Sequence, residues 1–207
     1  MTEKVITVTF DVESEAYQAI NGIKRDYAAS EYVVSHVTLV KNTGGHIIAY
    51  DNFDSGVETT DDTAMGGLVG ALVGILGGPL GIILGGSTGL LIGNLADTSD
   101  ALENASLLEQ VSSGISDGKT ALLILAQENG DNALDRKFSD YNVEIKRFDA
   151  AEVAAEVEEA RHLQREMAKE ARARLREEKK EERRQKVKEK QEEIRSKFDA
   201  FKEKYFS

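Results

Sequence analysis

Eight glycines recur at every fourth residue, first Gly66, Gly70, Gly74 and Gly78, then Gly81, Gly85, Gly89 and Gly93. Residues four apart share one face of a helix, so each set makes a smooth face that another backbone can approach closely. Glycine costs about 0.8–1 kcal/mol per helical position relative to alanine. The eight together therefore carry a penalty of roughly 6–8 kcal/mol that close packing must offset. Gly77-Gly78-Pro79 stands between the two sets, and Pro79 is the only proline of the chain. The stretch reads as a helical hairpin with two close-packing faces, a glycine zipper.

Thr63 to Ala96 carries no charge, so a membrane has to be weighed. A helix that crosses the hydrocarbon needs about 20 residues. The break at Gly77-Gly78-Pro79 leaves halves of about 14 and 17, short of that length. A single kinked span would also strand the segments before and after it on opposite sides of the bilayer. Asp61, Asp62, Asp97 and Asp100 flank the stretch, the nearest basic residues are Lys41 and Lys119, and no Trp or Tyr borders it. Basic anchoring and an aromatic belt are therefore both missing. The apolar backs of the halves (Leu68, Val69, Leu72, Val73, Ile75 and Leu76; Ile82, Ile83, Leu84, Leu90, Leu91 and Ile92) are too apolar to face water. They must meet lipid, other subunits or a sheet. The leading expectation is a hairpin buried in protein contacts, with bilayer insertion as the alternative; a lone monomer is the least favoured state.

The glycines do not make a phosphate cradle. The dinucleotide pattern needs glycines two apart and the P-loop needs a Lys after its last glycine. Neither occurs here, since no Lys lies between Lys41 and Lys119.

On either side of the stretch the pattern is that of an α/β body. Ile6, Val8 and Phe10 alternate with Val5, Thr7 and Thr9 as in a half-buried strand over Lys4–Phe10. Asp11 or Ser14 can cap a helix with the stripe Ala16, Ile20, Ile23 and Tyr27. Tyr32–Lys41 and His46–Tyr50 read as a hairpin about Asn42-Thr43-Gly44-Gly45, and 51–62 as an acidic linker. His36 and His46, which this register can set face to face, lack a third ligand nearby and read as ordinary sheet residues. Past the glycines, Ser99 or Asp100 (with Glu103) can cap a helix carrying Leu107, Val111 and Ile115. The apolar run Lys119–Ala126 then reads as a central strand. Leu134, Phe138 and Tyr141 mark a short helix, and Val143, Ile145 and Arg147 a last strand. The expected fold is α+β: a ferredoxin-like βαββ…αβ(αβ) sandwich interrupted by the glycine-zipper hairpin. Its parts are 1–62 and 97–150 for the body, 63–96 for the hairpin and 151–207 for a long charged C-terminal helix.

That last segment holds strong helix formers and neither Gly nor Pro. Its 57 residues would reach about 85 Å as one helix. Val153, Val157, Ala160, Leu163 and Met167 form a stripe for the body or a neighbour. Glu166–Lys169, Glu170–Arg174, Glu181–Arg184 and Glu182–Lys186 lie at ion-pair spacing. Val187, Ile194, Phe198, Phe201 and Tyr205 follow heptad-like steps, a short coiled-coil or docking seam. His162, beside Glu158 and Glu159, reads as a surface residue.

Charge divides the chain the same way. Residues 1–150 hold 22 Asp/Glu and 9 Lys/Arg, net −13, and 151–207 hold 15 and 17, net +2. An acidic body repels phosphates, which argues against broad nucleic-acid binding. Arg172–Lys190 is the exception, with ten Lys/Arg against five Glu. It is read as a solvated helix, and anionic lipid, nucleic acid and the acidic body of another subunit are the partners it could touch. Cysteine is absent, which removes thiol chemistry and fits a reducing cytoplasm. Met1-Thr2-Glu3-Lys4 does not open a signal peptide.

An N-terminal strand ending in Phe10-Asp11, the Thr38-Leu39-Val40-Lys41 strand, the double glycine ladder and Thr120-Ala121-Leu122-Leu123-Ile124-Leu125 together resemble a bacterial family, domain of unknown function 1269. The similarity covers about 4–165. It implies a compact α/β body, possible membrane association and a loose link to stress response, and it carries over no cofactor or catalytic residue. The long tail departs from the short end usual in that family. No nucleophile with its base, metal set or carboxylate pair stands out either. The expectation is a non-catalytic, self-assembling scaffold without cofactor, metal or small-molecule substrate, located in the cytoplasm. The alternative is a protein at the inner face of the membrane, hairpin inserted and basic helix on the anionic surface.

Overall fold

The computed structural model describes residues 2–57, 67–85, 106–130 and 132–206, with the side chains at 82, 83, 85 and 198–206 left aside. Strand β1 (Thr2–Phe10) leads into helix α1 (Glu13–Arg25), followed by β2 (Tyr32–Thr43) and β3 (His46–Asp54). Two short helices come next, α2 (Leu68–Leu76) and α3 (Pro79–Gly85), then α4 (Leu107–Ser113) and β4 (Thr120–Glu128). A 3-10 turn (Asp135–Phe138), β5 (Val143–Asp149) and α5 (Ala150–Phe206) complete the order. The chain is thus a mixed α+β protein with a five-stranded antiparallel sheet and a long C-terminal helix. It divides into two compact units, Met1–Gln164 and Arg165–Ser207.

The strands lie in the order β3-β2-β4-β1-β5, every neighbour antiparallel. β4 is central, as its unbroken apolar run requires. Leu122, Ile124 and Ala126 enter the core beneath α1 and the 3-10 turn. Ala121, Leu123 and Leu125 enter the other, beneath α2, α4 and the first turns of α5. β1 is covered in the same way. Ile6, Val8 and Phe10 face the α1 side and Val5 the α2 side, with Thr7 also buried. The half-buried reading of β1 is corrected on this point: helices cover both faces of the sheet, so Val5 and Thr7 of the second face lie inside as well.

Other expectations shift for local reasons. α1 starts without a side-chain cap, Val12 occupying the cap position. Asp11 accepts instead from Lys119 Nζ at 2.6 Å and from Asn142 Nδ2 at 2.6 Å. The hairpin turn is at Gly44 and Gly45, with φ of 62° and 84°, the left-handed pair that a two-residue turn of this hand needs. His46 pairs with Thr43 and His36 with Asp54, so the two histidines do not face each other. β3 runs on to Asp54, so the first part of the expected acidic linker is an edge strand. Lys24 Nζ lies 2.5 Å from Asp51 Oδ2 and His36 Nε2 lies 3.0 Å from Asp54 Oδ2, which accounts for acids in a strand.

The expected caps Ser99 and Asp100, with Glu103, lie outside the described residues. α4 begins at Leu107 behind a complete capping box, in which Glu109 N–H donates to Ser106 Oγ and Ser106 N–H to the Glu109 carboxylate. Val153, Val157 and Ala160 of the α5 stripe are buried in the core, whereas Leu163 and Met167 stay exposed at 51% and 39%. The Glu170–Arg174 and Glu166–Lys169 pairs form at 2.6 and 2.7 Å. Glu181–Arg184 and Glu182–Lys186 are not among the ion pairs within 4.0 Å found in the described residues.

Candidate functional site

The helix break falls where the sequence places it. α2 ends at Leu76 and α3 starts on Pro79, a residue suited to the first helical position because its missing N–H is not needed there. Leu68, Val69, Leu72, Ile75 and Leu76 are buried in the core formed with the sheet and α5, and Val73 packs at its edge. Of the covers open to the apolar back of the first half, the sheet supplies it. In the second half Leu80 is buried and Leu84 packs on the same core. Leu90, Leu91 and Ile92 lie outside the described residues, and the side chains of Ile82 and Ile83 are not described.

This orientation divides the glycines. A Cβ built on Gly70 or Gly74 meets nothing within 4 Å, and the same holds at Gly67. Gly70 and Gly74 are exposed and form the open side of α2. Beyond them the backbone closes up. A Cβ on Gly77 would stand 2.6 Å from the Ile47 carbonyl oxygen of β3, and one on Gly78 would stand 2.6 Å from Gln164 Nε2. At Gly81 it would run into the Leu76 carbonyl. The first ladder therefore does not line a single face contact within the protomer: its middle is free, and the tight approach is at the break. Gly85 is the last residue of α3, and Gly66, Gly89 and Gly93 lie outside the described residues. Gly77, which the four-residue spacing passes over, is the one that approaches the backbone of β3, and no spacing rule singles it out.

Beside the open side a shallow groove of about 360 Å³ runs between α2 and the sheet edge, lined by Thr38, Ala49, Tyr50, Asn52, Gly70 and Val73 among others. Tyr50 sits at an irregularity in the register, between Asp51 opposite Leu39 and Ala49 opposite Val40, and is 52% exposed. A second depression of about 250 Å³ includes Thr9, Asp11, Ser116, Lys119, Asn142 and Glu144. The hydrogen bond and charge of Lys119 hold the Asp11 carboxyl below its ordinary value, and Asn142 adds to this. Asp11 is thereby held as the ion-pair partner of Lys119. Among the described residues no three His, Cys, Asp or Glu stand close enough to hold a metal.

Among the described residues the most buried charge belongs to the sheet. Glu128 ends β4 with its side chain fully enclosed, accepting from Arg147 Nε at 2.8 Å and from the Leu134 N–H at 2.9 Å. Arg147 also donates to Asp135 at 2.5 Å. Burial pushes the Glu128 carboxyl up, but these donors and the Arg147 charge outweigh it and leave the group below its ordinary value. The arrangement clamps the loop after β4 to β5. Sequence reasoning missed it, and the one available signal was an acid closing an otherwise apolar run.

In the unit Arg165–Ser207, Val187 and Ile194 of the seam are exposed at 56% and 59%. The helix backbone continues through Phe198, Phe201 and Tyr205. Among the described residues no helix is long and apolar enough to cross a membrane.

No characterised protein and no solved structure matches the chain. A family profile described as "Protein of unknown function (DUF1269)" matches residues 63–180. The match begins in the glycine stretch and continues into the charged helix. It thus leaves out the first strands that the resemblance was expected to cover and takes in part of the tail. Spanning more than half of the chain, it shows that this protein belongs to the DUF1269 family of proteins of unknown function.

Proposed function

We propose that the chain is a non-catalytic, self-assembling structural protein, in which copies join through the open glycine side of a glycine-zipper hairpin. One observation carries the reading. The apolar side of α2 is already used by the sheet, while Gly70 and Gly74 leave the opposite side bare, with room for a Cβ at each. Two glycines in a nine-residue helix are a standing cost to that helix. A facing helix of a second copy can come close enough there to offset it, as small-xxx-small faces allow.

The frame beneath is read as ferredoxin-like. β1-α1-β2 crosses over β4, and β4-turn-β5 crosses over β1, with β3 added at one edge. The seam Val187, Ile194, Phe198, Phe201 and Tyr205 takes no part in this assembly, because the cations of α5 share its line. Protein packing is favoured over bilayer insertion because moving α2 into lipid would strip Leu68, Leu72, Ile75 and Leu76 from the sheet. The proposed setting is the cytoplasm.

Light scattering in detergent-free buffer tests the proposal on Gly70→Leu/Gly74→Leu. The expected outcome is an assembled wild type and a variant of lower mass with unchanged circular dichroism. A monomeric wild type, or a variant of unchanged mass, overturns it.

A further inference from the structure

The cations of the tail are not spread evenly around α5. At 100° per residue, Arg165, Lys169, Arg172, Arg176, Lys180 and Arg183 fall along one line of the helix at steps of three and four. The same line continues through Val187, Lys190 and Ile194, and the sequence register carries it on to Phe198, Phe201 and Tyr205. The opposite line is Glu178, Glu182, Gln185, Glu189 and Glu192. The helix is therefore polarised across its width, and its basic line takes in the exposed apolar residues Val187 and Ile194 further along.

The ion pairs compensate only part of this line. Lys169, Lys180 and Lys190 have partners in Glu166, Glu177 and Glu193. For Arg165, Arg172, Arg176 and Arg183 no carboxylate lies within 4.0 Å among the described residues. Arg176, Lys179, Lys180, Arg183, Arg184 and Lys188 also share one continuous surface with Val187.

We propose that this face of α5 is a peripheral binding site for an anionic phospholipid surface, with the basic turns on the headgroups and Val187 and Ile194 at the acyl boundary. Clusters of four to eight Lys/Arg on a helix suit anionic headgroups, and an apolar sector on the same side suits the interface below them. Other occupants fit less well. A parallel second copy sets each cation of the line against its own counterpart, and an antiparallel one sets cations against apolar positions, so neither supplies the missing negative charge. A nucleic-acid backbone matches the cations but offers nothing to Val187 and Ile194. The proposal is independent of assembly through the glycine face, since it rests on α5 alone.

The test is co-sedimentation of the full chain with phosphatidylcholine vesicles, with and without phosphatidylglycerol. Two variants of equal net charge are compared, Arg176→Gln/Lys180→Gln/Arg183→Gln on the line and Arg174→Gln/Lys186→Gln/Arg195→Gln off it, with circular dichroism confirming the helix in both. The expected result is binding only to phosphatidylglycerol-containing vesicles, weakened on the order of a hundredfold by the first variant and little changed by the second. Equal loss in both variants means diffuse charge attraction and overturns the site. Failure of the wild type to bind, or equal binding to both vesicle types, also overturns it. So does binding to duplex DNA that exceeds vesicle binding and depends on the same three cations. Assembly mass, measured separately, reports on the other proposal.

Discussion

Both carboxylate oxygens of Glu156, on α5, accept backbone N–H groups at the start of α4, from Leu107 and Leu108 at 3.0 Å each. Ser106 Oγ satisfies the next N–H, that of Glu109, at 3.2 Å. Every helix leaves its first N–H groups without intrahelical partners, and here a residue 48 positions away in sequence supplies two of the missing acceptors. A carboxylate at this end also meets the positive pole of the helix. Glu156 thereby fastens the first turns of α5 to the segment that returns the chain to the sheet.

Replacing Glu156 with Ala is expected to destabilise the Met1–Gln164 unit by about 0.5–2 kcal/mol, the range for loss of a helix cap. Urea denaturation followed by tyrosine fluorescence measures it. Glu156→Gln, which keeps an acceptor but not the charge, is expected to fall between wild type and Glu156→Ala.

Removing one member of the Glu128–Arg147 pair is expected to cost more. Arg147→Met leaves an enclosed carboxylate without its cation, a loss of about 3–5 kcal/mol by analogy with broken buried pairs. The double variant Glu128→Gln/Arg147→Met keeps an acceptor for the Leu134 N–H and removes both charges. Its destabilisation is expected to be smaller than that of Arg147→Met alone, and a larger loss in the double variant contradicts this account.

The same group sets an acid limit. Glu128 lies below its ordinary value when folded, so the unfolded chain binds its proton more readily. The stability it contributes is present above the unfolded value of about 4.3 and is lost as pH falls through the folded one. Asp11 and Asp26, lowered by their hydrogen bonds from Lys119 and Lys137, act in the same direction at the surface. So does Asp54, lowered first by the Gly56 N–H and then by His36. Unfolding free energy is expected to drop below about pH 4.3, with a shallower slope in Glu128→Gln. Denaturant midpoints across that window check the sign.

Glycines of one stretch are expected to respond oppositely to alanine. At Gly70 and Gly74 the added methyl meets nothing. Each change should raise thermal stability of the protomer, by about 0.4–1 kcal/mol. At Gly77 the methyl presses on the Ile47 carbonyl of β3, and a loss of about 1–3 kcal/mol is expected from the forced shift. Melting curves on the three single variants decide it.

What the sequence made legible follows from periodicity. The central place of β4 was readable because six consecutive apolar-side residues, Thr120 to Leu125, leave no polar face. The break before Pro79 was readable because proline ends one helix and opens another. Periodicity also shows which residues of α2 share a face, but it cannot say which face turns inward. The glycine face looked like the packing surface, and in the described protomer the sheet takes the opposite side. Charge misled at β3, where Asp51 and Asp54 resemble a linker until Lys24 and His36 are placed beside them. Glu156 could not be identified in advance and Glu128 showed only as an acid closing an apolar run, because their partners come from strands and helices that only the fold brings near.

The strand order has a consequence for how the chain is made. β1 and β2 are never neighbours, since β4 lies between them, with Val8 opposite Leu122 and Leu39 opposite the same Leu122 from the other side. Until residues 120–128 arrive, a growing chain can close only the β2–β3 hairpin, and β1 waits with both edges unpaired. Sheet formation is then governed by late, long-range pairings, which form slowly. The nascent first half is the stage at which this chain is most open to mispairing and proteolysis.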